Sequence, residues 1–130
     1  MPTDERTNKQ ISAEIARRLF GLTVEWREWD WKEDGESGHN AAWVVMDEPP
    51  REYWHIVDPY ASDHNAAWQV VTEMRKRGYI YWASDMWAGE GHTQAGFSKE
   101  GNLYRITAPF GEEPRAICLA VLGTLEQEGK

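Results

Sequence analysis

The chain has 130 residues, 22 of them acidic and 14 basic, and its formal net charge of −8 suits one acidic domain that is long enough to bury a core. That charge repels a phosphate backbone and argues against binding of nucleic acid polymers, which need a dense positive surface. Because Cys118 is the single cysteine and no apolar run approaches 18 residues, we expect a cytoplasmic protein without disulfides or membrane spans.

The chain opens with a polar stretch, residues 1–6, that we predict to be a flexible tail, followed by a single domain over residues 7–130. The pattern Thr7-x-x-Gln10 is a capping box and predicts the start of a helix. Apolar residues then recur at helical spacing, and Gly21 predicts that this helix ends near residue 20.

The next predicted element is a strand, TVEWREWDWK, over residues 23–32. Its three tryptophans, Trp26, Trp29 and Trp31, depart from a period of two, which predicts either a bulge or rings on both faces. The stretch EDGESGHN that follows is predicted to be a polar loop.

The pentapeptide HNAAW occurs twice, at residues 39–43 and 64–68. A proline pair at positions 49 and 50 leaves the first copy too little room for a helix, so AWVVM is predicted to be a short strand. The second copy follows Ser62 and Asp63, either of which can cap a helix, and its apolar stripe continues for about four turns. Flanks that favour different structures argue against a repeated functional unit.

A second strand is predicted after Gly78, in the segment YIYWASDMW. Alternation places Tyr79 and Tyr81 on one face of it and Ile80 and Trp82 on the other. The glycine-bearing AGEGHTQA is predicted to be a flexible loop.

The C-terminal part begins with a predicted hairpin, in which QAGFSK and NLYRIT flank the turn signal Glu100-Gly101-Asn102. Pro114 suits the first turn of a last helix, RAICLAVLGTLEQ, where Gly123 marks a weak point or a close packing contact. Helices and hairpins in this order predict an α+β fold. We expect a mostly antiparallel sheet of about four or five strands with helices on both faces, a helix–sheet–helix sandwich.

Three stretches of the chain match the pattern of a known family. The segment PPREYWHIVDPYASDHNAAWQVVTEM holds a proline pair, a helix start and an Ala-Ala-Trp-x-Val-Val helix; the matching positions are Pro49, Pro50, Tyr60, Ser62, Asp63, Ala66, Ala67, Trp68, Val70 and Val71. The C-terminal EEPRAICLAVL and the N-terminal helix fit as well. In these stretches the chain resembles the phage "ABA sandwich" proteins, small proteins common in phage and prophage genomes.

The resemblance implies a sandwich fold and a phage origin, with a bacterial host whose cytoplasm holds the protein. It also implies a packing role for Trp68 and Cys118. Two departures are an insertion, REYWHIVDP, after the proline pair, and Glu-Pro-Arg where the family has Ala-Pro before Ala-Ile-Cys. Because the family is largely without assigned chemistry, the resemblance bears on fold and origin more than on function.

The sequence contains no pattern that predicts an enzyme, a cofactor or a metal centre. His55-x-x-Asp58 with Asp63-His64 is weak as a ligand spacing, since no second fixed pair accompanies it. No nucleophile elbow or phosphate-cradling glycine loop is present. Cys118 lies in an apolar helix and is expected to be an inert core thiol.

The unusual feature is eight tryptophans, too many to bury fully in a domain of this size, so some should line a cleft or a subunit interface. Rings beside a few cations predict binding of a small anionic nucleotide-like ligand by stacking and charge. The predicted ligand-binding residues are Arg51, Tyr53, Trp54, His55, Trp82, Trp87, Tyr104, Arg105 and Arg115. The alternative is that these rings form core and dimer interface.

These features favour a phage-encoded, non-catalytic accessory protein that acts as a homo-oligomer. Its most concrete form is a sponge that sequesters a nucleotide immune signal, of the cyclic dinucleotide or cyclic ADP-ribose type, to counter host defence. One alternative is an acidic protein–protein inhibitor of a host nuclease or defence protein. Another is a structural phage accessory protein.

Overall fold

The computed structural model describes residues 6–46, 54–84, 92–109 and 111–128, and in this part of the chain two groups of three strands stand between three helices. In chain order they are α1 (Asn8–Arg18), β1 (Thr23–Glu33), β2 (Glu36–Met46), β3 (Trp54–Ile56), α2 (His64–Lys76), β4 (Ile80–Ser84), β5 (His92–Lys99), β6 (Asn102–Pro109) and α3 (Glu113–Glu128). Of the predicted tail, residues 1–5 lie outside this part of the chain, whereas Arg6 pairs with Glu14 at 3.5 Å. None of the described helices is long and apolar enough to cross a membrane.

The strands pair into two antiparallel sheets of three strands each, in the orders β1-β2-β3 and β4-β5-β6. The predicted α+β class and the antiparallel pairing are therefore confirmed. The prediction of one sheet of four or five strands was wrong in detail: among the described residues, β1–β3 and β4–β6 pair only among themselves and form two sheets. The short β3 lies in the inserted segment, where the pattern predicts no strand.

Both sheets are built on tight hairpins whose turn residues have positive φ. Asp34 and Gly35 have φ values of 51° and 83°, and Glu100 and Gly101 have 53° and 86°, as a two-residue turn between twisted strands requires. The second turn was predicted, but the prediction of a loop over EDGESGHN was wrong. The predicted bulge is also absent, because pairing runs one to one from Thr23–Met46 to Glu33–Glu36, and the rings lie on both faces.

A continuous apolar core joins the two sheets through the helices. The helix α3 packs against β5 and β6, the helices α1 and α2 pack against α3, and α1 also contacts β1 and β2. Side chains from every layer meet in this core, among them Ile11, Val45, Val70, Phe97 and Val121. Cys118 is fully buried there, as predicted.

The helix starts follow the predicted caps. Thr7 and Gln10 form a capping box, with the Gln10 N–H donating to Thr7 Oγ1 at 3.1 Å and the Thr7 N–H donating to Gln10 Oε1 at 2.8 Å. Asp63 caps α2 by accepting from the Asn65 N–H at 3.3 Å. The two HNAAW copies take the two predicted structures, strand in β2 and helix in α2. The same pentapeptide thus adopts the secondary structure that the neighbouring residues favour.

Candidate ligand-binding cleft

A cleft of about 510 Å³ lies between the first turns of α1 and the first sheet. The helix supplies Asn8, Lys9 and Ser12, the hairpin supplies Trp29 and residues 40–43, and the segment after it supplies Ile56, Val57, Pro59 and Ser62. This volume falls within the roughly 300–1,000 Å³ of small-molecule sites, which are likewise mostly apolar with a few polar groups.

The two large rings of the cleft, Trp29 and Trp43, are each held by a second indole. Trp54 packs on Trp29 with ring centroids 5.1 Å apart, and the Arg27 guanidinium lies 5.6 Å from the centroid of the Trp54 ring. Trp26 pairs with Trp43 in the strand register and contacts its ring edge-on at 5.3 Å. Trp29 and Trp43 are half-buried, so each is fixed in place and keeps some exposed surface. They lie on opposite faces of the hairpin, because Trp43 pairs with Trp26, which is three positions from Trp29.

The charge of the cleft differs from that of the whole chain. The described residues that line it include Lys9 and the carboxamides of Asn8 and Asn40, but no aspartate or glutamate. Arg115 of α3 donates from Nη1 to Asn8 Oδ1 at 2.8 Å, which orients that carboxamide at the rim. In a chain of net charge −8, this lining favours an anion over a cation.

The structure distributes the predicted binding residues over several elements. Trp54 and His55 lie on β3, Trp82 on β4, Tyr104 and Arg105 on β6, and Arg115 at the start of α3, while Arg51, Tyr53 and Trp87 lie outside the described residues. None of the described six lines the cleft itself. Trp54 supports it through Trp29, and Arg115 supports it through Asn8. Trp82 and Arg105 instead share one face of the second sheet.

The exposed rings confirm that the tryptophans exceed what the core holds. No tryptophan in the described ranges is buried, and Trp26, Trp68 and Trp82 are each at least half exposed. Trp68 contacts the Tyr81 ring at 6.1 Å, and the Arg75 guanidinium lies 5.0 Å from the centroid of its ring. It therefore packs between α2 and β4 while half of its surface stays exposed, and the packing role that the resemblance implies for it is partial.

The sequence prediction missed the residues that line the cleft. One signal was available, because Asp34-Gly35 fixes the register of a two-residue hairpin. From that turn, the pairing of Trp29 with Asn40 and of Trp26 with Trp43 follows. No sequence signal places α1 against this hairpin.

A histidine and two carboxylates meet elsewhere on the first hairpin. His39 Nδ1 lies 2.7 Å from Asp30 Oδ1, and Nε2 lies 3.3 Å from Glu28 Oε1. The hydrogen bond to Asp30, and then that to Glu28, raises the pKa of His39 above its ordinary value. The two ring nitrogens face different carboxylates, so the three groups do not converge on one point. Among the described residues, no group of three or more His, Cys, Asp or Glu side chains is arranged to hold a metal ion.

The remaining candidate groups have structural partners. Asp63 caps α2, and His64 Nε2 lies 3.5 Å from Glu113 Oε2. Burial raises the pKa of Tyr60 to about 12, and the nearby Asp58 adds to the shift. Burial likewise raises the pKa of Cys118, which keeps this core thiol protonated and weakly nucleophilic, as predicted.

Comparison of the chain with protein-family models, curated proteins and solved structures gave no match.

Proposed function

We propose that this protein binds a small planar anion in the cleft between α1 and the first sheet, without catalysing its conversion. The lining of the cleft carries the proposal. It combines two half-buried tryptophans, Trp29 from one face of the hairpin and Trp43 from the other, with Lys9 and has no carboxylate among its described residues. A carboxylate-free opening in a chain of net charge −8 favours anionic ligands because the like-charge repulsion is lowest there.

The proposed ligand is nucleotide-like. A base offers a flat face to an indole ring, and stacking of this kind contributes about 1–3 kcal/mol per base. A phosphate offers charge to Lys9, and the carboxamides of Asn8 and Asn40 supply donors and acceptors for a base edge or a ribose. The cleft of about 510 Å³ is the size of a small-molecule site.

In its most concrete form, the protein is a phage-encoded sponge for a nucleotide immune signal of the cyclic dinucleotide or cyclic ADP-ribose type. It acts in the cytoplasm of the infected or lysogenic host. Two considerations support this form: the resemblance to the phage "ABA sandwich" proteins, and the fact that a stoichiometric binder needs no catalytic group. On this proposal, the helices and the two small sheets are a variant of the helix–sheet–helix sandwich.

Isothermal titration against a panel of nucleotides, cyclic dinucleotides and cyclic ADP-ribose species tests the proposal. We expect saturable heat with at least one member, and a Kd that Trp43→Leu raises by roughly 5- to 150-fold, the equivalent of one stacked base. Trp31→Leu is the matched control, because Trp31 lies on the same hairpin outside the cleft. Lys9→Ala should weaken the binding of phosphorylated ligands and leave the binding of the corresponding nucleosides unchanged.

The panel also defines the outcome against the proposal. If no member of the panel gives binding heat, the proposed function is wrong. Equal weakening by Trp31→Leu and Trp43→Leu would place the ligand outside the cleft.

One observation favours a second candidate function, inhibition of a basic host nuclease or defence protein. The far end of the first hairpin carries a run of exposed carboxylates: Glu28, Asp30, Glu33, Asp34 and Glu36. Binding through such a surface weakens steeply as salt rises. A host-protein complex that dissociates with salt, and that Glu33→Lys disrupts while Trp43→Leu does not, would favour this candidate over the first.

A further inference from the structure

The outer face of the second sheet carries large apolar side chains, and no element of the described part of the chain covers it. We define this outer face by Ile80 and Trp82 on β4, Gly96 and Ser98 on β5, and Leu103 and Arg105 on β6. Ile80, Trp82 and Leu103 are 59%, 55% and 45% exposed. The opposite face packs on α3 and holds buried Phe97. The outer face therefore holds large apolar side chains that no described element covers.

The strand register arranges the outer face into two rows across the sheet. Ile80 pairs with Ser98, which pairs with Leu103, and Trp82 pairs with Gly96, which pairs with Arg105. Strands lie about 4.8 Å apart, so each row places two large side chains about 10 Å apart with a small residue between them. One row has an aliphatic side chain at both edges, and the other has an indole at one edge and a guanidinium at the other.

The side chains of the outer face are held in position. The Trp82 Nε1–H donates to Ser98 Oγ at 2.7 Å, which fixes the indole against the central strand. Gly96 has no room for a side chain, since a Cβ there would lie 2.8 Å from Arg105 Cβ and 2.7 Å from the Tyr104 carbonyl oxygen. A face that is already rigid loses little conformational entropy when it is covered.

We propose that the outer face binds the outer face of a second copy of this chain, about a two-fold axis parallel to β5. Such an axis exchanges the two edges of the sheet and keeps each row at its own level. Trp82 then faces the partner's Arg105, and Ile80 faces the partner's Leu103. The first contact is a cation–π pair made twice, and the second is an aliphatic contact made twice. This axis leaves the two β5 strands parallel, within the range of about 30° over which packed sheets align.

Charge argues for this occupant. Two copies of a chain with net charge −8 repel each other, and this repulsion is smallest where the facing surfaces carry no carboxylates. Neither row contains an aspartate or a glutamate, and each row is complementary to its own image. The outer face shares no residue with the cleft. Dimer formation can therefore be tested independently of ligand binding.

The outer face is small. A standard interface buries about 800 Å² on each partner, which exceeds what a few side chains on three short strands offer. We therefore expect a weak dimer that forms over the micromolar to submillimolar range. Sedimentation velocity over that range tests it, and Arg105→Glu should raise the dimer Kd at least tenfold. Trp68→Ala, which removes a similarly exposed ring from α2, should leave the Kd unchanged.

A mixing experiment tests the two-fold axis itself. Trp82→Lys alone places cations against the partner's Arg105, and Arg105→Glu alone places carboxylates against the partner's Trp82, so each variant should be monomeric. In a heterodimer of the two variants, one contact joins the introduced lysine to the introduced glutamate, and the other is the native pair. Mixing should restore dimers to within about threefold of the original Kd.

Each other result overturns the proposal. A wild-type chain that stays monomeric up to about 0.5 mM, or a dimer that Arg105→Glu leaves intact, shows that the outer face is not the interface. Two monomeric variants that do not dimerise when mixed show that the axis is wrong. Thermal melts check that each variant is folded; if Trp82→Lys unfolds, Ile80→Lys mixed with Leu103→Asp applies the same exchange to the other row.

Discussion

The rings of Trp29 and Trp54 lie 5.1 Å apart, although their partners on β2, Asn40 and Met46, are separated by six positions. Six residues of extended strand span about 20 Å. A flat sheet cannot bring these rings into contact, so the first hairpin must coil strongly towards β3. Two- and three-stranded ribbons twist more than large sheets do. Residues from both outer strands, Trp29 on β1 and Ile56 on β3, line the cleft.

The contact between Trp29 and Trp54 should be measurable as a coupling free energy. A double-mutant cycle with Trp29→Ala and Trp54→Ala is expected to give about 0.5–1.5 kcal/mol of coupling in urea unfolding followed by far-UV circular dichroism. The matched control is the cycle of Trp26→Ala with Trp54→Ala, because Trp26 contacts Trp43 instead. Additivity to within about 0.3 kcal/mol in the first cycle would contradict the contact.

Gly123 in α3 is required by the ring of Tyr104. A Cβ at Gly123 would overlap the Tyr104 side chain, so Gly123→Ala should destabilise the protein by about 1–3 kcal/mol despite the better helix propensity of alanine. In a Tyr104→Leu background the overlap is removed, and the same substitution should become neutral or stabilising by up to about 1 kcal/mol. Urea midpoints of the four proteins check this. The same sign in both backgrounds would refute the overlap.

The pKa of His39 should respond to its two carboxylate neighbours unequally. An NMR titration of the imidazole is expected to give a pKa above 6.5 in the wild type, because the protonated ring donates to both Asp30 and Glu28. Asp30→Asn should lower it more than Glu28→Gln, since the Asp30 contact is the shorter one. The contribution to stability is present below pH 6.5 and is lost as the pH rises through the raised pKa. Equal effects of the two variants would contradict the geometry.

Alkaline pH should destabilise the protein through Tyr60. Its side chain is 5% exposed, and burial raises its pKa to about 12 from 10.0. Between these pH values the unfolded chain loses the phenol proton and the folded chain keeps it. The free energy of unfolding therefore falls as the pH rises, by at most about 2–3 kcal/mol.

The comparison of Tyr60→Phe with the wild type checks this prediction. The variant should show a shallower loss of stability in urea unfolding between pH 10 and 12. Burial also raises the pKa of Cys118, so the thiol adds a loss that begins nearer pH 9, and Cys118→Ala separates it. An unchanged slope in Tyr60→Phe would mean that the phenol ionises freely in the folded state.

The local elements were predictable because their causes lie within a few residues of each other. The capping box at Thr7, the turn at Glu100-Gly101 and the two different structures of HNAAW follow from neighbours in the chain. The Asp34-Gly35 turn has the same kind of local cause, and the polar composition around it led to the wrong prediction of a loop. Once that turn is recognised, the strand register of the first hairpin can also be predicted from the sequence.

The sequence by itself thus determined the types of the main elements, the acidic charge and the surplus of rings that the core does not hold. Only the tertiary structure decided which aromatic side chains are in contact and which arginine and lysine side chains lie next to them. Arg115 reaches Asn8 across 107 positions of chain, and Trp82 shares a row with Arg105 only because two strand registers place them there. Such contacts depend on how distant elements dock, and docking is set by the whole core rather than by any local pattern.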